Sequence, residues 1–150
     1  NLQDGPHKDL RRARAAAQNM IPTSTGAAIA TTQTLPQLTG IFDGLAIRVP
    51  VLVGSLADFT FLLKRKTTVR EVNMVLKKAS KHPFYRGIVG VTEDSIVSSD
   101  IVGSSLSSLV DLGMTQVIDG DFVKIISWYD NEWGYCNRLV EMAIEVGKTL

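Results

Sequence analysis

The residue types in this chain favour anion recognition over covalent catalysis. Arg48 stands alone inside an apolar run, Leu45-Ala46-Ile47-Arg48-Val49-Pro50. A guanidinium placed within such a strand needs a partner, because an uncompensated buried charge is costly. A carboxylate of the same chain would serve. So would a phosphate, whose oxygens match the planar fork of donors. Thr25 and Gly26 close a polar turn, Pro22-Thr23-Ser24-Thr25-Gly26, ahead of a segment that reads as helix. Free N–H groups at a helix start, beside a glycine and hydroxyls, make an anion-binding geometry. Arg12 lies nearby in a basic opening segment. The block Trp128-Tyr129-Asp130-Asn131-Glu132-Trp133-Gly134-Tyr135 is polar and aromatic at a strand-to-helix junction. It suits a helix cap with aromatic packing, or a carboxamide or ring contact to a planar ligand, and spacing does not separate the two.

Covalent and metal chemistry have few candidates. There is one cysteine, Cys136, and two histidines, His7 and His82. A nucleophile needs a base close to it. Cys136 falls on the apolar face of the last helix and reads as a small buried hydrophobe. His7 sits between Pro6 and Lys8 as a surface or helix-start residue, and His82 before Pro83 as a loop residue. One cysteine forms no internal disulfide and no Cys₄ or Cys₂His₂ zinc site. It fits a reducing compartment.

Around these residues the composition is that of a globular domain, 45% hydrophobic and 21% charged. A chain of 150 residues suits one domain. The net charge, 16 − 15 = +1, sets up no global field for nucleic acid or membrane. No uncharged apolar run reaches the ~18 residues of a bilayer span. The opening Asn1-Leu2-Gln3-Asp4-Gly5 is no signal peptide and lacks Met, which suggests a piece of a longer protein. Between Lys64 and Arg86 basic residues crowd around Glu71 alone, while Gly87 to Asp121 holds acids and no base. The run lacks interleaved aromatics, so it reads as a solvated face balanced by neighbouring loops.

The elements that must position these groups follow from periodicity and breakers. Asp9 to Gln18 is rich in helix formers and suggests a short helix. Ala27 to Leu35 reads as a helix stopped by Pro36, with Thr25 or Ser24 as cap. Strands are expected at 45–49 and 59–63, with a bend at 53–58. Thr68-Val69-Arg70-Glu71 is a capping box opening a helix whose apolar stripe is Val69, Val72, Leu76 and Ala79. Further strands are expected at 88–91, 96–98, 109–111, 115–118 and 122–129. Asp130 or Asn131 then caps a long helix with Trp133, Cys136, Leu139, Val140, Ala143, Ile144 and Gly147 on one face. Short strands joined by short turns predict an α+β domain. Its sheet is mixed and largely antiparallel, with helices packed on one face. No G-x-G-x-x-G is present.

Four blocks, in order, carry a resemblance across essentially the whole chain. They are Asp9-Leu10-Arg11-Arg12-Ala13-Arg14-Ala15-Ala16, Ile21-Pro22-Thr23-Ser24-Thr25-Gly26-Ala27-Ala28, Ile47-Arg48-Val49-Pro50 and Trp128 through Tyr135. Together they resemble phosphorylating glyceraldehyde-3-phosphate dehydrogenase of bacterial or organellar type. The resemblance implies that residues 1–150 are the C-terminal part of the catalytic domain. The NAD-binding Rossmann domain, the nucleophilic cysteine and the base histidine of the family lie outside this chain, so no catalytic residue is assigned within it. It implies Arg48 at the substrate phosphate, and Thr25 and Gly26 at the inorganic phosphate with Arg12 nearby. It further implies Asn131 on the nicotinamide carboxamide and Tyr135 beside that ring. Implied for the complete enzyme are NAD as cofactor, glyceraldehyde 3-phosphate and inorganic phosphate as substrates, a homotetramer and a cytoplasmic location. Neither a membrane nor a nucleic-acid partner is implied. The stretch Val51-Leu52-Val53-Gly54-Ser55-Leu56 departs from the commoner Thr-Pro-Asn-Val-Ser-Val pattern, in a segment that contributes subunit contacts in the family. Erythrose-4-phosphate dehydrogenase and a non-catalytic binding or assembly domain remain as alternative readings.

Overall fold

The computed structural model describes residues 1–150. The chain divides into two compact units, Asn1–Leu52 and Val53–Leu150, where its length alone suggested one domain.

The first unit is built on a two-stranded antiparallel ribbon. β1 (Ile21–Thr23) pairs with β2 (Ala46–Arg48), with Ile21 opposite Arg48 and Thr23 opposite Ala46. Pro22 and Thr23, expected in a polar turn, lie instead in β1. Proline is tolerated where its missing N–H is not needed. Between the strands lie α1 (Ala27–Thr34) and a 3₁₀ turn at Pro36–Leu38. Residues 9–18 do not form the expected helix but a series of turns. Their backbone donors are drawn to the opening loop instead. The Asp4 carboxylate accepts from Ala15 N–H at 2.8 Å, and Asn1 O accepts from Ala16 N–H at 2.9 Å. Alanines and Leu10 bury too little to offset the cost of nucleating a helix.

The second unit is a four-stranded mixed sheet in the order β3-β6-β5-β4. The strands are β3 (Ser55–Leu62), β4 (Val89–Thr92), β5 (Ser108–Ile118) and β6 (Phe122–Tyr129). β3, β6 and β5 are antiparallel neighbours, and β4 runs parallel to β5. The helices are α2 (Val69–Ser80) and α3 (Trp133–Gly147). The α+β expectation holds.

Four local readings are corrected. The expected bend at 53–58 is mostly strand, since β3 begins at Ser55. Ile96–Ser98 is not a strand; it leads into a 3₁₀ turn at Ser98–Ile101, where Asp100 Oδ2 accepts from Val97 N–H at 2.7 Å. The segments 109–111 and 115–118 are one strand, β5, whose pairing to β6 shifts between Asp111 and Gln116. Gly113 N–H donates to Asp111 Oδ1 inside that irregularity at 3.1 Å, so a side chain stands in for the interrupted ladder. Lastly, Thr68 caps α2 by accepting from Glu71 N–H at 3.2 Å, but the reciprocal half of the box is replaced. The Glu71 carboxylate instead accepts from Arg65 Nη2 at 2.8 Å and Thr67 Oγ1 at 2.7 Å. The Arg65 bond and charge, with Thr67 second, hold Glu71 below the usual carboxylate range.

The core lies between α2 and the sheet and beneath the 3₁₀ turn. Ile101, Val110, Leu112, Val123 and Ile126 are the buried hydrophobic residues of this unit. α2 packs on β4 and β5. Asn73 Nδ2 pins it to Leu112 O at 3.0 Å. Beside it, Phe61, Leu63, Val72, Leu76, Val123 and Ile125 line an open apolar groove of about 320 Å³. Trp128 Nε1 donates to the buried Asp111 carboxylate at 3.3 Å, linking β6 to β5.

α3 is held at its start. A Cβ on Gly134 would come within 2.7 Å of Leu106 O, so only glycine allows that approach. Arg138 Nη1 donates to Ser105 O at 3.3 Å and Ser107 Oγ at 3.2 Å. The expected apolar face is exposed in this chain, with Leu139, Val140 and Ile144 all more than half accessible. Cys136 is exposed with it, which corrects its reading as a buried hydrophobe.

The basic run is balanced locally by acids of the same unit. Lys66 bridges Asp119 and Asp121 at 3.3 and 3.0 Å, and Lys77 meets Glu93 at 2.6 Å. No helix is long and apolar enough to cross a membrane.

Candidate functional site

In the first unit, Arg12 is the organising side chain. Its Nε donates to Thr23 Oγ1 at 2.6 Å and its Nη2 to Ser24 O at 3.0 Å. Asp9 Oδ2 lies 3.5 Å from Nε. Thr23 is buried, so the guanidinium is locked to the last residue of β1 and the first of the turn that follows. The turn passes directly into α1. Gly26 is the N-cap residue, not Thr25 or Ser24 as expected, and makes no side-chain cap. Thr25 Oγ1 still serves the helix start by accepting from Ala27 N–H at 3.1 Å. First-turn N–H groups of a helix lack intrahelical acceptors, and a glycine leaves them uncovered. No Cβ contact would arise within 4 Å of Gly26, so the approach is open. A concavity of about 490 Å³ lies alongside, lined by Asp9, Arg11, Thr23 and Ser24 among others.

Arg48 is not the buried guanidinium expected within an apolar strand. It is exposed, and no carboxylate of the chain lies within 4 Å of it. Two facing strands of three residues leave this edge open, so the guanidinium is solvated rather than buried. Antiparallel register fixes its place. Arg48 stands opposite Ile21, the first residue of β1, while the Thr25–Gly26 turn follows Thr23, the last. The ribbon therefore brings Arg12 to the turn and sets Arg48 at its other end.

In the second unit, the junction after β6 is tied in three directions. Asp130 is buried, and its Oδ1 accepts from Glu132 N–H at 2.9 Å and Trp133 N–H at 2.8 Å. Its Oδ2 accepts from Gly103 N–H at 2.8 Å. These bonds, Trp133 first, then Gly103 and Glu132, hold its carboxyl below the ordinary range. The N-cap residue of α3 is Glu132, which makes no side-chain cap, not Asp130 or Asn131 as expected; the Asp130 carboxylate still serves the helix start through Trp133 N–H. Asn131 turns the other way. Its Oδ1 accepts from Gly54 N–H at 2.9 Å, and its Nδ2 donates to Ser55 Oγ at 2.8 Å. Tyr135 lies in the first turn of α3 and is 67% exposed.

Three residues of these clusters carry no signal in residue spacing: Thr23 under Arg12, and Gly54 and Ser55 under Asn131. Gly54 is 77 residues from Asn131, and no periodicity joins them.

The chain is thus an α+β structure with an arginine-braced hydroxyl turn in its first unit and a tied carboxamide at a strand-to-helix junction in its second. The family model described as "Glyceraldehyde 3-phosphate dehydrogenase, C-terminal domain" matches residues 1–131. The chain is 56% identical over 149 residues to glyceraldehyde-3-phosphate dehydrogenase of Streptomyces coelicolor, covering 99% of this chain and 44% of that protein. It is 54% identical over 150 residues to the enzyme of the same name from Mycolicibacterium smegmatis, covering 100% of this chain and 44% of the relative. The counterpart from Mycobacterium tuberculosis H37Rv is 55% identical over the same span. The chain belongs to the glyceraldehyde-3-phosphate dehydrogenase family, in its C-terminal domain. It spans under half the length of the curated relatives it matches.

Proposed function

We propose that these 150 residues form the C-terminal part of the catalytic domain of a phosphorylating, NAD-dependent glyceraldehyde-3-phosphate dehydrogenase. In the complete enzyme they bind phosphate groups and contact the nicotinamide, while the nucleophile, its base and the Rossmann domain come from outside this chain. The observation that carries the reading is the bracing of Arg12 on Thr23 and Ser24 beside the open Thr25–Gly26 helix start. A fixed guanidinium next to the first-turn N–H groups that Thr25 leaves free suits a phosphate, which accepts from both. Arg48, exposed and unengaged by any carboxylate of the chain, is the second phosphate contact. The two sit at opposite ends of the ribbon, which suits a reaction with one phosphate on the aldehyde and another as attacking group.

The second unit fits the nicotinamide end of NAD. Asn131 is exposed and keeps one N–H and one lone pair beyond its two hydrogen bonds, the complement of a primary carboxamide. Tyr135 offers an exposed ring one helical turn away. NAD, when bound, supplies the hydride acceptor, and this chain's residues hold and orient it. The homotetramer and the cytoplasmic location belong to the same reading of the complete enzyme. The shared name of the relatives favours glyceraldehyde 3-phosphate over erythrose 4-phosphate.

The test is NAD reduction by the complete enzyme with each aldehyde, with and without inorganic phosphate. Phosphate-dependent turnover that prefers glyceraldehyde 3-phosphate is expected. Preference for erythrose 4-phosphate, or turnover independent of phosphate, would overturn the reading. The 150 residues alone are expected to show no turnover, since the covalent route needs a nucleophile they do not assign.

A further inference from the structure

Asn131 is held by two groups far away in the chain, and their chemistry fixes which way its amide points. A backbone N–H only donates, so the atom 2.9 Å from Gly54 N is the oxygen of the amide. The NH₂ therefore faces Ser55 Oγ at 2.8 Å, and that hydroxyl oxygen accepts. Gly54 N–H excludes the flipped state, which would set NH₂ against an N–H, and Ser55 Oγ adds a second point that limits swing about the last torsion. The backbone beneath is also tied, because the neighbouring Asp130 carboxylate accepts from Gly103, Glu132 and Trp133 N–H. Gly54 is itself committed to its place. Its φ is +97°, and an added Cβ would meet Ile101 Cδ1 at 2.9 Å and Ser98 O at 3.2 Å. Ile101 is 1% exposed, so the anchor rests on the core.

We propose that Ser55 is the positioning residue for Asn131, and that the Gly54–Ser55 pair sets the enzyme's preference for a carboxamide over a carboxylate on the pyridine ring. This rests on the reading of Asn131 as the nicotinamide contact. With Oδ1 and Nδ2 each engaged once, one lone pair and one N–H remain. A ligand carboxamide can meet either. A ligand carboxylate satisfies the N–H and repels the lone pair. Without the Ser55 hydroxyl the Asn131 NH₂ loses its acceptor, the amide rotates more freely, and the discrimination falls.

The experiment compares Ser55→Ala, Ser55→Thr and Asn131→Ala in the complete enzyme. NAD and its deamidated analogue, nicotinic acid adenine dinucleotide, are the probes, titrated calorimetrically to their dissociation constants, which are expected to follow the KM changes below, as well as used in turnover. Ser55→Ala is expected to raise the KM for NAD by about 3- to 10-fold, the range of one hydrogen bond, and to narrow the preference for NAD over the analogue. Ser55→Thr, which keeps the hydroxyl, is expected to restore both, and the KM for inorganic phosphate is expected to stay within about twofold throughout. An unchanged KM for NAD in Ser55→Ala, beside a raised one in Asn131→Ala, overturns the positioning role and leaves the reading of Asn131 intact. An unchanged KM for NAD in Asn131→Ala overturns that reading and the inference with it. Equal rises for NAD and phosphate in Ser55→Ala, unrelieved in Ser55→Thr, mean general loss of structure and also overturn the proposal.

Discussion

Gly103 N–H and Asp130 Oδ2 are 2.8 Å apart across 27 residues, and this bond ties the loop behind the 3₁₀ turn to the start of α3. The same carboxylate accepts from Glu132 and Trp133 N–H at the helix start. One side chain thus closes a loop and opens a helix.

Its titration gives the first prediction. Asp130 has a folded pKa below its unfolded one, Trp133 N–H being the largest cause. Its contribution to stability is therefore complete above the unfolded value and is lost as pH falls through the folded one. Asp130→Asn is expected to lower the melting temperature at pH 7 by about 5 °C. It should also flatten the acid limb below about pH 4. A thermal melt series in pH checks both, and an unchanged acid limb would speak against the assignment.

Gly54→Ala is expected to destabilise the fold by about 1–3 kcal/mol, because a positive φ and a near-contact with Ile101 Cδ1 coincide there. Chemical denaturation measures it. The paired variant Gly54→Ala with Ile101→Val should recover part of the loss if crowding contributes, and none if only backbone strain does.

Thr68→Ala removes the acceptor for Glu71 N–H at the start of α2. A loss of about 1 kcal/mol is expected, as for other N-caps. Hydrogen exchange at residues 69–72 should rise ahead of the sheet. Uniform exchange across the second unit would mean that the cap is not a local determinant.

Arg48→Ala in the complete enzyme is expected to raise the KM for the phosphorylated aldehyde by about 10- to 100-fold. Its melting temperature should not move, since Arg48 is exposed. A substrate without phosphate should be far less affected. Equal losses for both substrates would remove Arg48 from the phosphate contact.

The sequence made the regular parts of this chain legible where pattern and local chemistry agreed. β6 was read to the residue, and α2 was read from its stripe and Thr68. It misled where a distant group captured the backbone. The alanine-rich opening has helix propensity, yet Asp4 and Asn1 take its donors. At the site, residue types pointed to Arg12, Thr25, Gly26, Arg48, Asn131 and Tyr135, but not to how they are held. Arg48 was chosen for a burial it does not have. Gly54 and Ser55 were invisible, because a contact over 77 positions leaves no periodic trace.

The bond from Trp128 to Asp111 gives the molecule an optical readout of its own. The chain has two tryptophans, Trp128 in β6 and Trp133 at the start of α3. Trp128 is part-buried with its indole N–H on a carboxylate, whereas Trp133 is 54% exposed. Their emission should differ in wavelength and in quenching by iodide, with Trp133 the redder and the more readily quenched. Replacing either by phenylalanine leaves one lamp, in the sheet or at the helix start, so sheet melting and helix fraying can be followed as separate colours in a single cuvette.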